Sequence, residues 1–309
     1  MGTLIISLDC EGKWGMADHL EPYHHRLLTD DALAAVYDRI VALLSVYDIP
    51  ATFAFVMAFT LTEAERRQLA PVLSRREGTE DSWLEHFWAD QEAQRTEGWF
   101  QPHALDAVMA DGRHEVACHG FCHRPLGDES ISERDARAEL AAAAAVAEMK
   151  GLSLSTFIYP RNEVGHVELL GEHGFIGYRE KLRRPGGAIG RAVRVAEEFN
   201  LWPAPQPARI RENGRPVKIP PGYFFNWRFG VRKRVPLAIT ETRWKHLLDR
   251  TAANGGVAHL WLHPHNLITG PDTAVSLEAV LAHAAGLREA GRIDIVTQDR
   301  YCRSLSGLH

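Results

Sequence analysis

Residues 3–11 read Thr3-Leu4-Ile5-Ile6-Ser7-Leu8-Asp9-Cys10-Glu11. The first six are a short β-rich apolar run that ends at an acidic residue, as a buried strand does. Further on, Thr29 and Asp30 are able to cap a helix whose apolar face is Leu33, Val36, Ile40, Leu43 and Tyr47, at three- and four-residue spacing. Asp48-Ile49-Pro50 stops that helix, and Ala51 to Met57 is the next strand. Strand, helix, strand is the repeating unit of a parallel sheet or barrel.

The alternation continues. Glu115 to Ala117 leads as a short strand into Cys118-His119-Gly120-Phe121-Cys122-His123. Ser130 with Glu133 reads as a capping box opening an alanine-rich helix that Gly151 ends. A strand over 155–159, a helix around 164–173 closed by Gly174 and a strand over 175–179 follow. Val257 to Leu262 is a buried strand running into His263-Pro264-His265; a helix over 276–290 and a strand from Ile293 to Thr297 come last. Two stretches break the pattern. Residues 62–105 are charged and carry Trp83, Phe87, Trp88, Trp99 and Phe100, which suits an inserted helical hairpin anchored on the barrel or a subunit contact. Residues 183–236 are rich in Pro, Gly and Arg and show little periodicity, a length uncommon without function. The whole chain, 1–309, reads as one α/β domain, a barrel rather than an open sheet.

A formal charge of -5 argues against a general nucleic-acid-binding role. Nothing approaches the ~20 apolar residues of a membrane span. Cys10, Cys118, Cys122 and Cys302 form no disulfide framework, and the first strand opens without a secretory leader. Reduced thiols and a cytoplasmic location are the expectation, with a homo-oligomer left open.

Three polar groups stand at strand ends. Asp9 and Glu11 are two apart, so strand alternation sends both side chains to one side, where a cation would let one carboxylate ligate and the other act as base. His119 and His123 are four apart, which on one helical turn puts both imidazoles within reach of one ion. Cys118 and Cys122 share that spacing, but a Cys₂His₂ set would leave no position for water, and small packing residues suit them better. His263 and His265 emerge where the Val257–Leu262 strand ends. Convergence at three strand ends is worth more than any one pair.

The order of these elements resembles the polysaccharide deacetylase family, also called the NodB-homology or carbohydrate esterase 4 fold. Ser7-Leu8-Asp9-Cys10-Glu11-Gly12 is similar to its first motif, and Ile49-Pro50-Ala51-Thr52-Phe53-Ala54-Phe55 to its helix-to-second-strand junction. His119-Gly120-Phe121-Cys122-His123 is similar to the second motif, Phe157 to Asn162 to the groove-lining third, and Leu260-Trp261-Leu262-His263 to the last. The spaced acidic pair, where the common motif has adjacent aspartates, resembles the intracellular branch, which also holds deformylases and allantoinase-like enzymes.

That resemblance implies a distorted (β/α)7-type barrel with insertions at about 62–105 and 183–236. It implies a divalent metal, Zn²⁺ in the first instance, on Glu11, His119 and His123, with Asp9 as base and His263 as acid. Tyr159, Pro160, Arg161, Trp261 and His265 become substrate contacts, and the reaction is hydrolysis of an N-acetyl or N-formyl group on a soluble or nucleotide-linked amino sugar. An allantoinase-like amidohydrolase on a small non-sugar amide and a non-catalytic binding relative are the alternatives. The cluster Arg209, Arg211, Arg215, Lys218, Arg228, Arg232, Lys233 and Arg234, interleaved with Tyr223, Phe224, Phe225 and Trp227, suits either a phosphate-bearing substrate or a solvated basic loop.

Overall fold

Strand β1 (Gly2–Cys10) is the organising strand of a wholly parallel sheet. In the computed structural model, residues 1–74, 82–182, 186–201, 206–208 and 216–306 are described. Around β1 lie β2 (Thr52–Phe55), β3 (Glu115–Cys118), β4 (Thr156–Phe157), β5 (Gly177–Arg179), β6 (Val217–Ile219), β7 (Tyr223–Phe224), β8 (Val257–Leu262) and β9 (Ile293–Val296). The order is β6-β5-β4-β3-β2-β1-β8-β7. On the β2 side of β1, β2 pairs with residues 7–10 and β9 with residues 2–5.

The two ends of that order belong to one run of chain. Between β6 and β7 stand Pro220, Pro221 and Gly222, so the backbone passes from pairing with β5 to pairing with β8 within a few residues. A ring at Pro220 and Pro221 removes two ladder donors, while Gly222, at φ +65°, lies where a Cβ would sit 2.3 Å from the His259 carbonyl oxygen. This crossing curls the sheet into the barrel that the alternation predicts.

Alternation in β1 sorts its side chains. Leu4, Ile6, Leu8 and Cys10 join the outer core. There α1 (Asp30–Val46), capped by Thr29 accepting from the Ala32 amide, presses Leu33, Val36, Ile40 and Leu44 against the sheet. Full burial of each such side chain stabilises by ~1.5–3 kcal/mol. Ile5 points the other way, into the barrel with Val217, Ile219, Val257 and Val296, and Ser7 and Asp9 continue on that inner face. Gln298 and Asp299 open the last helix, α8 (Gln298–Ser306); their amides donate to Thr52 Oγ1 and Glu115 Oε2 at 2.9 Å and close the barrel floor.

The remaining helices differ in detail from the sequence expectations. Helix α2 (Pro102–Asp111) precedes β3; the helix after β3, α3 (Glu133–Met149), is capped by Ser132, which accepts from the Asp135 amide at 3.2 Å; Ser130 bonds Glu163 instead and makes no capping box with Glu133. The following helix, α4 (Val167–Glu172), is short. Within 183–236 the expected irregular insertion contains α5 (Gly187–Glu198) and strands β6 and β7. Arg209, Arg211 and Arg215 fall outside the described residues. Then come α6 (Leu237–Asn254) and α7 (Thr273–Glu289).

Residues 62–105 do anchor through aromatics. After helices Glu63–Gln68 and Ala70–Leu73, helix Glu85–Glu92 brings Phe87, and the turn beyond it Trp99, to Trp14, at ring distances of 4.6 and 5.1 Å. Trp14 Nε1 donates to the Trp99 carbonyl, and Trp99 Nε1 to Asp90. Because Trp14 follows Glu11 by three residues, this packing fixes the loop that carries Glu11. Among the described residues no helix is long and apolar enough to cross a membrane.

Candidate active site

The C-terminal ends of β1, β3, β5 and β8 open on one cavity of about 1130 Å³, the end where parallel barrels gather their functional groups. Asp9 lines it, with Arg179 packed beside Asp9; the two are exposed by only 2% and 1%. Arg179 donates through both Nη atoms to the two Asp9 oxygens, at 2.8 and 2.7 Å. Burial alone would raise the Asp9 carboxyl; the Arg179 charge, with His119 and His263 nearby, overcomes that and holds it below its ordinary value. Arg179 also reaches Ser7 Oγ and Asn162 Oδ1 and lies over the Trp261 ring at 4.5 Å.

Glu11 lies just beyond β1, 4% exposed. Its Oε2 is 2.9 Å from His123 Nε2 and 3.4 Å from His119 Nε2, and those two nitrogens are 3.1 Å apart. One ligand atom from each of the three residues lies within 4.8 Å of the others. His119 Nδ1 donates to the Ile158 carbonyl at 2.7 Å, which leaves Nε2 as a lone pair facing the cluster. Burial would raise the Glu11 carboxyl, yet the charges of His263 and His123 bring it well below the usual range.

The histidines reach this arrangement without the helical turn their spacing suggested. Residues 119–123 form a loop in which Gly120 and His123 both have left-handed φ, +80° and +62°. Buried Glu139 of α3 holds it: one carboxylate oxygen accepts from the amides of Phe121, Cys122 and Arg124, at 2.9, 2.7 and 3.4 Å. Cys122 Sγ donates to the other oxygen at 3.1 Å, and the buried Cys118 thiol is pushed up to about 12. Both cysteines pack in the core rather than joining the cluster.

His263 Nε2 approaches the other Glu11 oxygen, Oε1, at 3.5 Å, and its Nδ1 lies 3.2 Å from Asn266 Oδ1. His265 is buried, stacked on His263 at 5.1 Å, and burial lowers it to about 3. Trp261 lines the cavity, as do Phe224, Trp227, Lys181 and Arg232. Arg161 is at the rim, paired with Asp18 and over Trp83 at 5.1 Å; Arg179, not Arg161, contacts Asp9. Two expected substrate contacts do not line the cavity. Tyr159 turns inward, donating to the Gly165 carbonyl at 2.8 Å, and Pro160 is buried beneath the loop. The basic cluster is also divided: Arg228 donates to the Val235 and Lys233 carbonyls, Lys218, Lys233 and Arg234 face solvent, and Arg232 pairs with Glu198.

Arg179, Asn266 and Glu139 are working residues that the sequence expectations do not include, and Asn162 enters those expectations only as part of the third motif. The one available signal was a basic residue at the inner-face position ending strand 175–179.

The polysaccharide deacetylase model matches residues 24–167. Over those residues the chain is similar to that family. The match includes His119, His123 and Arg161, while Asp9, Glu11, Arg179 and His263 lie outside it. That likeness supports a deacetylase, a hydrolase of amide C–N bonds. No curated protein matches it. Among solved structures it is similar to a putative polysaccharide deacetylase from Mycobacterium smegmatis: TM-score 0.62, 13% identity, covering 99% of this chain and 90% of the other. A second is a probable polysaccharide deacetylase from Pseudomonas aeruginosa: TM-score 0.56, 15% identity, covering 99% and 91%. A third is Puue allantoinase: TM-score 0.53, 14% identity, covering 99% and 91%. At these identities the likeness is one of fold.

Proposed function

We propose that this deacetylase is metal-dependent and removes an N-acetyl or N-formyl group from a soluble amino sugar. The observation that carries the reading is the convergence of Glu11 with His119 Nε2 and His123 Nε2. Two imidazole nitrogens and a carboxylate, all buried and with one histidine tautomer fixed by Ile158, suit a borderline cation such as Zn²⁺. Such an ion, when bound, acidifies water and polarises an acyl oxygen. Asp9, kept ionised by Arg179, is the base that accepts the water's proton, and His263, oriented by Asn266, gives a proton to the departing amine. Trp261 supplies an apolar wall and His265 a substrate contact. Cys10, Cys118, Cys122 and Cys302 are all buried thiols outside any disulfide, which supports a reducing, cytoplasmic setting.

The cavity has room for a sugar bearing a further group, and Phe224 and Trp227 stand in its wall with Lys181 and Arg232. That combination favours a nucleotide-linked sugar, with rings against aromatic faces and phosphate near the cations. A small cyclic amide would leave much of the space unfilled. The test is amine release from N-acetyl and N-formyl amino sugars, free and nucleotide-linked, by metal-loaded protein. Asp9→Asn is expected to abolish turnover with metal retained; Glu11→Ala and His119→Ala are expected to lose metal. Unchanged metal content in both would overturn the ligand set, and near-normal turnover of Asp9→Asn the base. Arg232→Glu is expected to raise KM selectively for the nucleotide-linked substrate.

A further inference from the structure

The geometry points to a second divalent-cation site, formed by Glu11, His263 and His265, that shares Glu11 with the first cluster and suppresses turnover when filled. It rests on the reading of Glu11, His119 and His123 as a metal centre. Ligand atoms of this second set also lie within 4.8 Å of one another.

Glu11 divides its two oxygens. Oε2 faces His119 and His123, whereas Oε1 faces His263 Nε2 at 3.5 Å. A carboxylate so placed is disposed to bridge two ions, as carboxylates do in two-metal centres. His263 is prepared as a ligand in the usual way: a carbonyl oxygen, that of Asn266, stands 3.2 Å from Nδ1 and takes its proton in a hydrogen bond. Nε2 then directs a lone pair at Oε1. Two lone pairs facing each other repel, so a positive species belongs between them. A proton gives the acid form of His263 used in hydrolysis; a metal ion takes the same place.

His265 separates these two occupants. A proton on His263 needs nothing from it. Yet His265 is more than nine-tenths buried, lines the cavity, and its side chain makes no hydrogen bond among the described residues; its Nδ1 has no partner. A buried imidazole nitrogen without a hydrogen-bond partner is costly, and an ion beside Glu11 and His263 supplies a partner. Two imidazoles with one carboxylate suit Zn²⁺ rather than Mg²⁺ or Ca²⁺. With that ion in place His263 Nε2 carries no proton for the leaving amine, so the singly loaded enzyme is active and the doubly loaded one is not.

Zn²⁺ bound per chain is to be measured after dialysis against excess Zn²⁺, for wild type, His119→Ala, His265→Ala and the double variant, with circular dichroism checking the fold of each. Two, one, one and zero ions are expected. One ion on wild type, unchanged in His265→Ala and lost in His119→Ala, overturns the second site and leaves the first standing; no ion on wild type overturns both. Anomalous diffraction at the zinc edge from wild-type crystals decides without any variant: peaks on both sides of Glu11 are expected, and a single peak refutes the proposal. Activity is expected to rise through the first equivalent and fall about 100-fold on filling the second, the scale of a lost general acid. A plateau beyond the first equivalent overturns the inhibitory role.

Discussion

Arg179 meets Asp9 end-on inside the barrel, one guanidinium nitrogen to each carboxylate oxygen, with both side chains closed off from solvent. The pair joins β5 to β1, strands that do not touch in the sheet order. Such bidentate contact fixes direction as well as charge. Arg179→Lys keeps a cation and loses the fork, so Asp9 is free to swing. A misplacement of this kind costs turnover about 100-fold, with metal content unchanged. The acidic limb of the kcat/KM profile is expected to move to higher pH, because the charge holding the Asp9 carboxyl down is less well placed. Unaltered kcat and pH profile would show that the pair only stabilises the barrel.

Glu139 offers a second prediction, since it touches no reacting group and acts through the backbone of residues 121–124. Glu139→Ala removes the acceptor of the Phe121, Cys122 and Arg124 amides, the first two of them buried, and lets the left-handed turn at Gly120 and His123 relax. Metal affinity, read by competition with a chelator, is expected to fall 10- to 100-fold, roughly the range for lost supporting contacts. Glu139→Gln, which retains one accepting oxygen, is expected to fall between. Equal affinities in all three proteins would refute the positioning role.

The residues legible from sequence were those whose meaning is local. Strand β1 announces itself through Leu4, Ile5, Ile6 and Leu8, and α1 through the spacing of its apolar face. His119 and His123 were findable because they are near neighbours in the chain, although the helix inferred from their spacing gives way to a loop that Gly120 and Glu139 shape. Arg179, Glu139 and Asn266 escaped notice because each takes its meaning from a partner that only the fold supplies; nothing in the chain between residues 9 and 179 says that those two will meet. Helix α5 was hidden by its glycines and by exposed Ile189 and Val195, which leave little apolar periodicity to read.

Asn162 is a case where one contact determines another. Arg179 has donors only, so Asn162 must offer it Oδ1, at 3.0 Å, and its amide N–H groups remain for the cavity it lines. The backbone is left-handed at both Arg161 and Asn162, φ +57° and +54°, a strain that sites of binding tend to hold. Asn162→Gly suits that backbone and removes the amide; Asn162→Asp keeps the oxygen for Arg179 and removes the donors. Both variants are expected to raise KM about tenfold, the upper range for one hydrogen bond, with a smaller change in kcat for Asn162→Asp. Wild-type KM in both would show that no substrate oxygen uses this amide.

Below the site, His259 lies in the barrel with its Nδ1 donating to the Pro220 carbonyl at 2.6 Å and its Nε2 2.8 Å from Ser7 Oγ, which donates to it. The neutral ring fits both contacts. Burial, aided by the Arg179 charge, lowers its pKa from 6.5 to about 3. A histidine depressed in this way lends stability that is complete above the unfolded value and is lost as pH falls from 6.5 toward 3, because there the unfolded chain binds the extra proton. The slope approaches about 1.4 kcal/mol per pH unit for one full proton. Urea unfolding of wild type and His259→Gln at pH 7, 6 and 5 isolates this contribution, since metal ligands titrate alike in both. The stability gap between the two proteins is expected to narrow as the pH drops. Parallel curves would mean that His259 is already charged in the fold, and the Ser7–His259–Pro220 chain would then have to be drawn with its protons reversed.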